Sequence, residues 1–290
     1  FYKKDGGDLL ASDFRGAQQE KLSNLTIVGL MEAIWSPARD RAAVFYLDSN
    51  TIKAFLHIGT SSVAVLPTDI TSAAWSPDGK SLAYTRKEGD QLALVVSDAA
   101  AKNPRTVYRT PVADPTIQWV DTNRIAFVTA PSGLAEGYVF KFSRSSGVFE
   151  RLLGPVFGLD ILWAPGASRI LVSSTPRGGE NVRLAVFDPQ REESLRLDVS
   201  TFVNKCVWGS EEELWCAVPK SITKAPLPDR YLSGEFNSSD RIVRIAADAG
   251  SVEAVFDEGD FDISDILVSK DKKYLFFVNR RDGTLWSLKL

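Results

Sequence analysis

The chain has 290 residues, with 34 Lys and Arg against 37 Asp and Glu, a net charge of −3 and a mean hydropathy of −0.08. That balance gives no basic stripe to release counterions from nucleic acid and no polybasic patch for an anionic membrane. No apolar run reaches the roughly 18 residues of a membrane span, and closed all-β architectures reach this length as one unit, so a single domain over residues 1–290 is expected.

The chain begins Phe1-Tyr2-Lys3-Lys4, without an initiator Met. An aromatic pair followed by two lysines reads as the tail of a removed signal or transmembrane segment, or as an arbitrary boundary. The expectation is an extracytoplasmic or periplasmic domain, membrane-anchored only through a segment absent from this chain. Residues 1–19 would be an anchor-proximal segment or an extra strand. Two strand-like pieces, 9–12 and 20–25, precede the first of a series of repeats.

The clearest repeat is AAWSPDGKSLAYTR around Trp75, and related stretches lie around Trp35, Trp119, Trp163, Trp208 and Val268, at spacings of 40, 44, 44, 45 and 60 residues. Each is an apolar run ending in Trp (Val in the last), a polar turn, and a second apolar run. Pro77 presets φ, Asp78 bonds its own backbone and Gly79 takes the left-handed position, the division of labour of a tight turn between antiparallel strands. Periods of about 40 to 45 residues with four short strands each are those of propeller blades. The expected fold is therefore all-β, a six-bladed β-propeller of four-stranded antiparallel blades. Its last blade shows three strands, 266–268, 274–278 and 284–290, and residues 20–25 are expected to supply the fourth, closing the ring.

Blades 1 to 4 continue as alternating or wholly apolar runs such as TIKAFLHIG, QLALVVSD, GYVFKFSR and NVRLAVFD. Blade 5 breaks the period with an insertion at 220–240 that holds prolines, aromatics and many polar residues, the marks of a long functional or partner loop. Connections between second and third strands fall on one face of such a fold. There they gather Arg86, Lys87, Arg177, Arg230, Tyr231, Phe236, Arg280 and Arg281, a mix of Arg and aromatic side chains suited to a protein or peptide partner.

The Trp-Ser-Pro-Asp-Gly-Lys unit at 75–80, with weaker copies at Trp35, Trp163 and Val268, resembles the TolB-like (WD40-like) β-propeller repeat. The copies at Trp119 and Trp208 keep little beyond the Trp. The resemblance covers nearly the whole chain as repeats and implies six blades, the usual count in the TolB group. Such propellers occur in periplasmic protein-binding factors and as the non-catalytic half of prolyl and dipeptidyl peptidases. The family's N-terminal α/β domain is missing from this sequence.

Candidate chemistry is sparse. Trp35, Trp75, Trp119, Trp163 and Trp208 read as core, since each can bury on the order of 200 Å², worth roughly 5 kcal/mol at about 25 cal/mol per Å². Trp215 and Trp286 lie off that register and are open to either role. His57 is the only histidine and sits mid-strand, and no Gly-x-Ser-x-Gly elbow is present, so a Ser-His or Cys-His hydrolase is not assembled. Cys206 and Cys216 lie on the two arms of one hairpin, either as a cross-strand disulfide in an oxidising compartment or as two buried thiols. Two Cys without a nearby His leave zinc short of ligands. The acidic run Asp257, Glu258, Asp260, Asp262 and Asp265 reads as a solvated loop without calcium-loop spacing. No metal and no cofactor is expected. The reading from these residues is a non-enzymatic propeller that binds a protein or peptide in the cell envelope, alone or as a scaffold. The alternative is a glycan hydrolase or lyase with carboxylates in the central channel.

Overall fold

The repeated turn closes as its residues dictate. Trp75 ends the strand Ile70–Trp75, and the chain reverses into Ser81–Glu88. The Ser76 N–H donates to the Ser81 carbonyl at 2.9 Å and the Gly79 N–H to the Ser76 carbonyl at 2.8 Å. Gly79 has φ of 68°, which glycine adopts without a Cβ penalty. Ser76 Oγ accepts the Ser81 N–H and donates to Asp78 Oδ1, and that bond holds the Asp78 carboxyl below the usual carboxylate range. The same pair of backbone bonds recurs after Trp35, Trp163 and Val268, where Arg39, Ala167 and Lys272 take the left-handed position. A non-glycine there costs about 1–2 kcal/mol, so the fold keeps the turn where the sequence has lost its signature.

The computed structural model describes residues 1–3, 6–60, 62–222 and 224–290. It is an all-β, six-bladed β-propeller of mostly four-stranded antiparallel sheets. The described chain divides into two compact units, Phe1–Thr129 with Phe140–Glu150, and Ala130–Val139 with Arg151–Leu290. The first unit contains blade 1 (Leu30–Trp35, Arg41–Asp48, Thr51–Ile58, Ser62–Val65) and blade 2 (Ile70–Trp75, Ser81–Glu88, Gln91–Asp98, Arg105–Thr110). Blade 3 comprises Thr116–Trp119, Arg124–Val128, Glu136–Ser143 and Phe149–Phe157. The second unit contains blade 4 (Asp160–Trp163, Ile170–Ser174, Arg183–Asp188, Glu193–Leu197) and blade 5 (Cys206–Ser210, Glu213–Pro219, Asp240–Ala246, Val252–Phe256). Blade 6 has three strands, Ile263–Val268, Tyr274–Asn279 and Leu285–Lys289.

Within each unit the tryptophans tie successive blades. The Trp75 indole N–H donates to the Ile34 carbonyl at 2.8 Å, and the Trp208 indole to the Leu162 carbonyl at 3.0 Å. In both cases the acceptor precedes the Trp of the blade before. Trp75, Trp119 and Trp208 are buried, while Trp35 and Trp163 are half-buried. Trp215 is also core, and Trp286 is exposed.

Ring closure differs from expectation. Glu20–Thr26 pairs with Asp8–Ala11 in a separate two-stranded sheet and adds nothing to blade 6. The partner is fixed locally: Asp8 bonds Thr26 Oγ1 at 3.1 Å and ion-pairs Lys21 at 2.7 Å. Gly7, at φ of 67°, lies so near Ile27 that a Cβ would stand 2.0 Å from the Ile27 carbonyl oxygen. Within residues 1–19 the chain forms the strand Asp8–Ala11. Tyr2 packs on Trp35 with ring centroids 5.6 Å apart and bonds His57 Nδ1, whose ring is buried and held below the usual histidine range by that burial. Lys4 lies outside the described residues. Among the described residues no helix is long and apolar enough to cross a membrane.

Candidate functional site around the blade 5 insertion

The insertion at 220–240, in which Thr223 lies outside the described residues, is not a free loop. Pro226 to Pro228 lead into a short helix, Asp229–Leu232. Ala225, Leu227, Tyr231 and Phe236 pack with Val182 and Phe202 into a small core of their own. Tyr231 stacks on Phe202 at 4.2 Å. The Asp229 carboxylate accepts from Ser132 Oγ at 2.6 Å and from the Gly133 N–H at 2.8 Å. Gly133 and Gly179 are glycines for a reason: a Cβ on either would stand within 2.4 Å of Leu227 backbone atoms. With Tyr231 2 % and Phe236 7 % exposed, neither aromatic is offered to a partner.

Beside this core lies a group of charges that the sequence did not announce. Lys205 closes a single 3-10 turn, Val203–Lys205, and its side chain is 0 % exposed. Its ammonium donates to Asp240 Oδ2 at 2.6 Å, Asp262 Oδ1 at 2.7 Å, the Ile263 carbonyl at 2.9 Å and Ser238 Oγ at 3.0 Å. Asp240 and Asp262 are also fully buried. Ser238 Oγ and the Ile263 N–H donate to Asp262 and Asp240 in turn. Arg280 lies over the Tyr231 ring, 4.1 Å from its centroid, donates to the Tyr231 carbonyl at 3.1 Å, and stands 3.5 Å from Asp262 Oδ2. Burial pushes the Tyr231 hydroxyl above its ordinary range. Two cations and two anions balance, which lets the group sit out of water; breaking such a pair costs about 3–5 kcal/mol. The only sequence signal was a Lys and two Asp each placed just before an apolar strand.

Asp160 opens the first strand of blade 4, and that strand packs against the Val203–Lys205 turn. It is half-buried, and its carboxyl accepts the Ile161 N–H at 2.8 Å. Desolvation outweighs that bond and pushes its pKa up to about 6. A half-buried carboxyl with a pKa of about 6 is largely ionised at neutrality yet more basic than an ordinary carboxylate, which suits it to take up a proton. Nothing in the sequence around Asp160 marks it, since its shift comes from burial that only folding supplies.

The expected partner-binding residues fall in both units. Arg86 and Lys87 belong to the first unit, paired with Glu88 at 2.6 Å and Asp114 at 3.6 Å. In the second unit Arg230 reaches Glu235, Arg281 is held by Asp260 and the Ser238 carbonyl, and Arg177 is exposed. The acidic run does not act as one solvated loop: Asp257 pairs with Lys220, Asp260 with Arg281, and Asp262 is sealed against Lys205. Cys206 and Cys216 face each other in register and are joined by a disulfide. Among the described residues no three His, Cys, Asp or Glu converge as a metal site.

No family model matches the chain, and no curated protein matches it. Solved structures share its fold. TolB from Acinetobacter baumannii superposes with a TM-score of 0.60 at 14% identity over 87% of this chain, which spans 60% of that one. An oligogalacturonate lyase solved with manganese gives 0.64 at 13% identity, covering 94% of this chain and 80% of the other. The tricorn protease gives 0.63 at 11% identity, with 98% of this chain on 31% of that one. These likenesses are of fold alone, a six- or seven-bladed propeller shared with TolB and others. They overturn the expectation of a non-enzymatic, purely partner-binding chain. That expectation took the propeller to be the non-catalytic part of its relatives, whereas here it aligns with most of a lyase.

Proposed function

We propose that the chain is a propeller enzyme acting on a glycan by elimination, with Asp160 as the group that moves the proton. The observation that carries this reading is the half-buried Asp160 carboxyl with its pKa near 6. Hydrolysis by the two-carboxylate route needs a second accessible acid, and the paired carboxylates Asp240 and Asp262 are fully buried on Lys205. Elimination needs less. A single base takes the proton from the carbon next to a uronate carboxylate, the carbon–oxygen bond to the leaving sugar breaks, a carbon–carbon double bond forms, and the leaving oxygen takes up a proton. The lyase that shares the fold acts, by its name, on oligogalacturonate, which supports a uronate-containing substrate for this chain. The Cys206–Cys216 disulfide supports an oxidising, extracytoplasmic compartment.

The test is to incubate the chain with oligogalacturonate and other uronate oligomers and follow the ultraviolet absorbance of the new double bond. Asp160→Asn should lose at least about 100-fold in rate, in keeping with the loss of a general base, and the native rate should rise with pH through about 6. Absence of product on every uronate, or equal turnover by Asp160→Asn, would overturn the assignment.

A further inference from the structure

The Lys205 ammonium sits in a closed cage of oxygens. Four oxygens surround it at 2.6 to 3.0 Å: two carboxylates, a hydroxyl and a backbone carbonyl. This is the hard-oxygen donor set that binds alkali and alkaline-earth cations. The cage is fully shielded from solvent, so its occupant must be bare of hydration, as the terminus of a lysine is. Two buried oxygens of its carboxylates, Asp240 Oδ1 and Asp262 Oδ2, have no hydrogen-bond partner among the described residues, the second standing 3.5 Å from Arg280. The cage therefore has more acceptor capacity than the ammonium uses.

We propose that the oxygens of Ser238, Asp240, Asp262 and Ile263 form a monovalent-cation site that this chain fills with its own side chain. Charge selects the valence. Asp240 and Asp262 are balanced by Lys205 and Arg280, so removing the lysine leaves one uncompensated negative charge, which one monovalent ion restores. Potassium and ammonium have nearly the size of the lysine head group, and methylammonium reproduces it with part of its stem. Lys205 is thus a tethered structural ion: it joins the end of the insertion, through Ser238 and Asp240, to the start of blade 6, through Asp262 and Ile263. The proposal is separate from the role of Asp160, because its readout is folding.

Lys205→Ala opens the cage. Its thermal unfolding is measured at constant ionic strength in potassium, ammonium, methylammonium, calcium and tetramethylammonium chlorides. The expected result is a melting temperature well below that of the native chain that rises saturably with potassium or methylammonium and recovers at least half of the loss. Tetramethylammonium, too large for the cage, should have no effect. Asp240→Asn added to Lys205→Ala removes a ligand and balances the charge, and should abolish the dependence on potassium. If Lys205→Ala does not fold in tetramethylammonium, refolding on addition of potassium or methylammonium supports the site. Failure to recover in every cation, or equal recovery in tetramethylammonium, overturns it, and a recovery confined to calcium overturns the monovalent assignment.

Discussion

Asp160 shows how one residue can couple stability to the chemistry proposed for it. Its folded-state carboxyl, near 6, binds a proton more tightly than the ordinary carboxyl at 3.8, because burial penalises the charged form. The stability this group contributes is therefore full below pH 3.8 and is lost as pH rises through about 6. The difference between those two affinities for the proton corresponds to at most about 3 kcal/mol. Asp160→Asn should accordingly unfold at a higher temperature than the native chain at about pH 8 and level with it at about pH 4, as read by calorimetry at the two values. Equal differences at both would mean that the carboxyl is not desolvated. Residues of this kind are invisible in sequence. Trp75 announces itself through the turn that follows it, whereas Asp160 and Lys205 owe their properties to what folding places around them.

At the scale of elements, the insertion of blade 5 is the place where composition misled. Proline, polar residues and a broken period read as an exposed loop, yet the apolar residues among them, Leu227, Tyr231 and Phe236, find Val182 and Phe202 from outside the insertion and make a core. A contact between residues 25 to 54 positions apart leaves no periodic trace, so only the aromatic content was legible, and it was assigned to the wrong side of the surface. Leu227→Ala removes a fully buried side chain from this core and should cost about 2–5 kcal/mol. Leu232→Ala, on the same short helix but 52 % exposed, should change stability by less than about 0.5 kcal/mol. Urea titration of both variants decides it: two small effects would show that the insertion does not pack into a core.

For the whole molecule, six blades were legible because the Trp units recur at near-constant spacing, and after four of the six inner strands the turn keeps its backbone geometry even where Gly is replaced by Arg39, Ala167 or Lys272. Closure was not legible. Any short β-prone piece at one terminus can be assigned to an incomplete blade at the other, and the choice made by residues 20–26 rests on Asp8, Lys21 and the close approach of Gly7 to Ile27. This pairing has a measurable consequence. If residues 20–26 were the fourth strand of blade 6, deleting residues 1–26 would strip backbone bonds from its outer strand, Leu285–Lys289, and speed amide exchange there. With Glu20–Thr26 paired to Asp8–Ala11 instead, the deletion removes the Tyr2 contacts to Trp35 and His57 and should be felt in blade 1. Hydrogen exchange should therefore show faster exchange in Leu30–Trp35 and Thr51–Ile58, with Leu285–Lys289 unchanged. Loss of protection in the last strand, with blade 1 unaffected, would instead place the N-terminal strand on blade 6.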